Sequence, residues 1–245
     1  MARISLALLA ALWLLAGCAP RQTAAEPPIF QAIDRGDRAQ LQALLEAGAG
    51  LEVRDARGRT PLHRAVATGD PALVRLLLQQ GAPLELRDAR GRTPFLLAVL
   101  RGNLAIARLL LQAGADPQVQ DVDGETALHY AARFGPPELL GWLIAQGLPL
   151  DAQDADGKTP LHYAVNEQNC PSVRLLLEAG ADPNVQDASG RSPLHLAVAR
   201  NAESCIRLLL TAGADPYLAD RNGESPLDYA AHYGYKRAFW LMMNR

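Results

Sequence analysis

The chain lacks most of what a catalytic or nucleic-acid-binding protein needs. Its 24 basic and 26 acidic residues leave a formal net charge of −2, so no basic excess answers a phosphate backbone, and no nucleic-acid partner is expected. There is no G-x-S-x-G, no phosphate-binding Walker A phrase, no dinucleotide fingerprint and no H-E-x-x-H. Serine is scarce, and Ser192 and Ser225 stand where helices should start. No nucleophile, base and orienting residue can be assembled, so neither an enzyme activity nor a cofactor, metal or small-molecule substrate is expected. The apolar run from Ile4 to Leu15 is too short to span a bilayer. With 49% hydrophobic and 20% charged residues, the remainder reads as a folded, soluble domain.

Repetition is what the chain has instead. Thr60-Pro61-Leu62-His63 returns as Thr93-Pro94-Phe95-Leu96, Thr126-Ala127-Leu128-His129, Thr159-Pro160-Leu161-His162, Ser192-Pro193-Leu194-His195 and Ser225-Pro226-Leu227-Asp228, each step being 33 residues. A fixed period of this size marks stacked units that cannot bury a core alone. Each unit opens with an Asp (Asp55, Asp88, Asp121, Asp154, Asp187, Asp220) followed three residues later by a Gly, a pairing suited to a tight turn. The Thr or Ser two residues after that Gly fits a helix N-cap, with Pro at the first helical position. A column of Ala (Ala65, Ala98, Ala131, Ala164, Ala197, Ala230) allows close helix approach. A second helix carries a Leu cluster such as Leu109-Leu110-Leu111 and stops at Gly81, Gly114, Gly147, Gly180 or Gly213.

The D-x-x-G-x-T-P-L-H-x-A phrase, the L-L-L-x-x-G-A-D ending and the period together resemble an ankyrin-repeat protein. The resemblance implies an all-α solenoid of helix-turn-helix units joined by β-hairpins or loops. Residues 28–54 read as an N-terminal capping repeat, 55–219 as five repeats of 33 residues, and 220–245 as a C-terminal capping repeat. Phe95-Leu96, Ala127 and Asp228 depart from the phrase and should weaken single repeats, not the fold. The resemblance also implies that the recurrent His bonds backbone between neighbouring loops. A shared metal is excluded, because rings about 10 Å apart cannot meet one ion.

Before the repeats, Leu15-Ala16-Gly17-Cys18 follows the apolar run and resembles a bacterial lipobox. This implies a signal peptide over 1–17 and a diacylglyceryl anchor on Cys18 as the mature N-terminus. Residues 18–27 would then form a lipidated tether reaching at most about 30 Å. Ala19 suggests sorting to the outer membrane, with the solenoid facing the periplasm. Cys170 and Cys205 remain, near the start of second helices in adjacent repeats. A stacking distance of about 10 Å favours two separate thiols over a bridge.

Residues 51–110 hold ten Arg against five acids, and residues from 111 onward ten basic against seventeen acidic, so the solenoid is electrically polar along its length. Ankyrin proteins bind through turn tips and the inner faces of first helices. At those positions stand Arg54 and Arg87, and a candidate partner surface of Arg57, Arg59, Arg90, Arg92, Arg101, Tyr130, Arg133, Phe134, Tyr163 and Tyr233. Of these, Arg57, Arg90, Arg101, Tyr130, Arg133 and Phe134 are expected to form one patch for an acidic protein surface. The expectation is a monomeric scaffold or adaptor for an unidentified protein, or an inhibitor of a toxin or hydrolase in the envelope.

Overall fold

The computed structural model describes residues 26–244; the signal-peptide and Cys18 expectations lie outside them. Fourteen helices occur among the described residues, in seven antiparallel pairs. They are α1 (Pro28–Asp34), α2 (Arg38–Glu46), α3 (Pro61–Thr68), α4 (Pro71–Gln79), α5 (Pro94–Leu100), α6 (Leu104–Gln112) and α7 (Ala127–Phe134). The rest are α8 (Pro137–Ala145), α9 (Pro160–Asn166), α10 (Cys170–Glu178), α11 (Pro193–Ala199), α12 (Glu203–Thr211), α13 (Pro226–His232) and α14 (Lys236–Met243). First helices (α1, α3 and onward) stack in one row and second helices in another. Apolar residues one period apart fill the space between the rows. Leu62, Phe95, Leu128, Leu161 and Leu194 form one buried column, and Leu77, Leu110, Leu143, Leu176 and Leu209 another.

The helix starts follow the capping chemistry expected, with one addition. Thr60 caps α3, and the backbone N–H of Thr60 donates to His63 Nδ1 at 3.3 Å. His therefore occupies the position that Glu or Gln takes in an ordinary capping box. Because Nδ1 accepts, Nε2 carries the ring proton and donates it onward to the Arg92 carbonyl of the next repeat at 2.9 Å. His129, His162 and His195 repeat both bonds, reaching Lys158, Arg191 and Glu224. Asp228 keeps the capping bond, accepting from Ser225 N–H at 2.9 Å.

Between repeats the chain forms turns, and no strand is assigned among the described residues, so the expected β-hairpins are tight turns. In the first, Asp55 N–H donates to the Arg59 carbonyl while Asp55 Oδ1 accepts from the N–H groups of Arg57 and Arg59. Successive turns are laced together: Ala89 N–H donates to the Arg57 carbonyl, Val122 to Arg90, Ala155 to Asp123, Ala188 to Asp156 and Arg221 to Ser189. Gly recurs because each turn needs a left-handed residue there, and the lacing adds a second reason in the turns that another follows. At Gly124 φ is +78°, and a Cβ would stand 3.0 Å from Ala155 N. Gly223 has the same left-handed backbone (φ +81°), yet a Cβ there would meet nothing within 4 Å.

The expected separate thiols are a correction. Cys170 and Cys205 form a disulfide, with Cα atoms 5.5 Å apart. The repeat spacing applies to residues one full period apart, whereas these are separated by 35. Cys170 is the first residue of α10 and Cys205 the third of α12, so the bridge crosses diagonally between helix starts. Gly135 also departs from the left-handed residue seen after other first helices: its backbone is extended, as Pro136 behind it requires. Gln168 and Asn201 adopt the left-handed conformation at the equivalent positions instead.

Candidate functional site: a cationic groove with an aromatic wall

Each turn aspartate exposes a second carboxylate oxygen that needs a donor, and two residue types supply it. In the first, second and fifth turns, Arg four residues on does so: Arg59 Nη2 lies 2.7 Å from Asp55, Arg92 2.6 Å from Asp88 and Arg191 3.0 Å from Asp187. In the third, fourth and sixth turns, Tyr nine residues on donates its hydroxyl: Tyr130 to Asp121 at 2.5 Å, Tyr163 to Asp154 at 2.5 Å and Tyr229 to Asp220 at 2.8 Å. Burial pushes the Asp55 carboxyl up, but the bonds from Arg59 and Arg57 prevail and hold it at about 2. Burial and the bond to Asp220 push the Tyr229 hydroxyl up to about 12.

This pairing sorts the sequence candidates. Tyr130 and Tyr163 are only 6% and 9% exposed, so they are turn clamps and not part of an open surface. Arg59 and Arg92 border the groove, but their guanidinium groups are committed to Asp55 and Asp88. Arg54 and Arg87 staple consecutive turns: Arg54 Nη1 donates to the carbonyls of Gly58 and Arg87, and Arg87 Nη1 to those of Gly91 and Gln120. Gln153 and Gln186 do the same further along.

What is left open is a groove of about 890 Å³ between the first two turns and the ends of α5 and α7. Arg57 and Arg90 enter from the turn tips, Arg101 from the C-cap of α5 and Phe134 from the last residue of α7. All four are exposed, and the three guanidinium groups have no ion-pair partner among the described residues. Leu100 adds apolar surface, over a floor that includes the buried Leu97. Arg133 stands beside this groove, paired with Glu125 at 2.7 Å, its guanidinium 3.7 Å over the Tyr163 ring and 5.2 Å from that of Phe134. Arg57, Arg90, Arg101 and Phe134 of the six thus share one groove, with Arg133 beside it, and Tyr130 is not among its lining. Tyr233 lies three repeats beyond Phe134, 54% exposed, with its ring near those of Tyr229, His232 and Tyr235.

Leu97, buried at the floor of the groove, is a lining residue to which the exposed columns of the sequence do not point. Its signal was available: it holds the column where Tyr130, Tyr163 and Tyr229 clamp a turn, and Arg92 makes a clamp unnecessary in that repeat. A second depression, about 620 Å³, lies against the second helices beside Cys170, Arg174 and Arg207, and no aromatic side chain lines it.

A stack of like helix pairs with a groove between its turn tips and first helices is the architecture of a repeat-built scaffold. The chain belongs to the ankyrin-repeat family. The family model for ankyrin repeats (3 copies) matches residues 29–121, 113–187 and 169–245. Among solved structures, the chain is similar to the ankyrin repeat domain of Bcl-3, described as a unique member of the IkappaB protein family, at 31% identity. The match covers 90% of this chain and 99% of that one, with a TM-score of 0.80. An ankyrin repeat domain from Acinetobacter baumannii AYE is also 31% identical, over 75% of this chain and 96% of that one, with a TM-score of 0.69. No curated protein matches the chain. The family identifies the molecule as a protein-interaction scaffold and gives no sign of enzymatic activity.

Proposed function

We propose that this chain is a lipid-anchored, periplasm-facing adaptor that holds a protein partner in the groove between its turn tips and first helices. The observation that carries the reading is the groove itself: three guanidinium groups without ion-pair partners beside an exposed Phe134, while Arg59 and Arg92 at its border are paired with turn aspartates. Buried-at-binding aromatic and Arg side chains are the usual energetic centre of a protein interface. The envelope location rests on the lipobox-like Leu15-Ala16-Gly17-Cys18. The Cys170–Cys205 bridge, suited to an oxidising compartment, supports it independently.

The test is affinity capture from cross-linked envelope with the full chain, alongside an Arg90→Ala/Phe134→Ala variant and a Cys18→Ser variant. A protein enriched by the parent and lost with the double variant supports the groove; release of the Cys18→Ser protein from the membrane fraction supports the anchor. A partner kept by a folded double variant, at affinity within 1 kcal/mol of the parent, removes the groove assignment. A tight one-to-one complex that silences the partner's own activity would make the adaptor an inhibitor.

A further inference from the structure

The surface that continues from the groove along the stack is not uniformly charged, and the repeat makes its layout legible. Two rows run along it, starting at the arginines of the groove. At the turn tips, Arg57 and Arg90 are followed one period later by Asp123. Along the ends of the first helices, Arg101 is followed by Phe134 and then Glu167. All six are exposed. Asp123 and Glu167, like the three arginines, lack an ion-pair partner among the described residues; Glu167 only accepts from the Asn166 side chain, at 3.1 Å. The other charges nearby cancel locally: Arg133 pairs with Glu125 at 2.7 Å and Lys158 with Asp156 at 2.7 Å. Arg200, next in the helix row, is held by Asn166 at 2.7 Å and bounds the acidic stretch. The unanswered charge is therefore positive over the first two repeats and negative over the third and fourth, with Phe134 at the boundary.

We propose that the groove and the surface continuing from it take an extended protein segment with its charges in two blocks: acidic residues against Arg57, Arg90 and Arg101 in the groove, an apolar side chain on Phe134, and basic residues against Asp123 and Glu167 beyond it. This rests on the groove-binding reading above and adds the partner's chemistry and its orientation. Complementary charge fixes register and suppresses misplaced partners, because like charges brought together are repelled. Repeats spaced about 10 Å apart place roughly three extended residues over each, so a segment of about 10–12 residues spans the four repeats.

Three fluorescein-labelled peptides of equal length test this against the full chain by anisotropy. One carries four glutamates, two phenylalanines and four lysines in that order, a second the reverse order, and a third the same residues with the charges interleaved. At least one blocked peptide should bind tenfold or more tighter than the interleaved one, and Arg90→Glu/Arg101→Glu should erase the difference. A photo-cross-linker on the acidic end should label residues 57–101, and one on the basic end residues 123–167. Equal affinities for blocked and interleaved peptides, reversed cross-links, or no binding by any peptide would each overturn the block layout. Envelope capture that still depends on Arg90 and Phe134 would then leave the groove reading standing; loss of that dependence would remove both.

Discussion

Tyr130 and Tyr163 show how a side chain of the right type can stand in the right column for the wrong reason. Both occupy the inner face of a first helix, where a binding aromatic is expected, and both spend their hydroxyl on a turn aspartate. Tyr233, in the last repeat, is open to solvent and makes only ring contacts. The two kinds separate on removal of one oxygen. Tyr130→Phe leaves a buried carboxylate oxygen of Asp121 without its donor and should cost about 1–3 kcal/mol of stability. Tyr233→Phe should stay within about 0.5 kcal/mol. Urea unfolding of the two variants measures both, and a Tyr130→Phe protein as stable as the parent would contradict the clamp.

The helix caps couple each repeat to the next through a neutral imidazole. Burial pushes the His162 ring well below its ordinary value, to about 4, against a smaller opposing effect of the carbonyl bond to Arg191. His63, His129 and His195 are lowered for the same reason. The unfolded ring takes a proton near pH 6.5, before the folded one does. The stability these rings give is thus complete above about pH 6.5 and lost as pH falls toward 4. The Asp55 carboxylate, held at about 2, adds a loss only below the ordinary carboxylate value of 3.8. The urea midpoint should therefore fall between pH 7 and pH 5. His162→Leu, the pairing that Leu96 shows in repeat two, should be less stable at pH 7 and lose less on acidification; an unchanged pH slope would refute the neutral-imidazole link. The helices, caps and stops were legible because Pro, Thr, His and Gly recur at one interval. Gly124 was legible as a turn residue, but not its second duty, since the close approach of Ala155 belongs to the neighbouring repeat. Half of the groove could be read for a similar reason: exposed columns predict which side chains are available, while the Arg-or-Tyr alternation that engages some of them spans nine residues within a turn and helix.

Across the full stack, stability is expected to be the sum of repeats and of interfaces between neighbours. The Cys170–Cys205 bridge ties the fourth and fifth units covalently. The sequence alone argues against it, because the stacking distance holds for residues 33 apart and this pair is offset by two more. Alkylation without reductant should add no label to these two thiols, and alkylation after reduction two. Cys170→Ser should lower stability by about 2–4 kcal/mol, read by thermal or urea unfolding of the oxidised parent beside the variant. Two labels without reductant would rule the bridge out.

The bridge also sets how the chain answers a pull. If force is applied between the two ends of the chain, repeats yield and pay out chain in turn. The segment between Cys170 and Cys205 is closed by a covalent bond and cannot lengthen. With a separation of 35 residues, it withholds about 120 Å of extended chain at roughly 3.4 Å per residue. Reduction would release that length in one added step, so the oxidised molecule is the less extensible of the two.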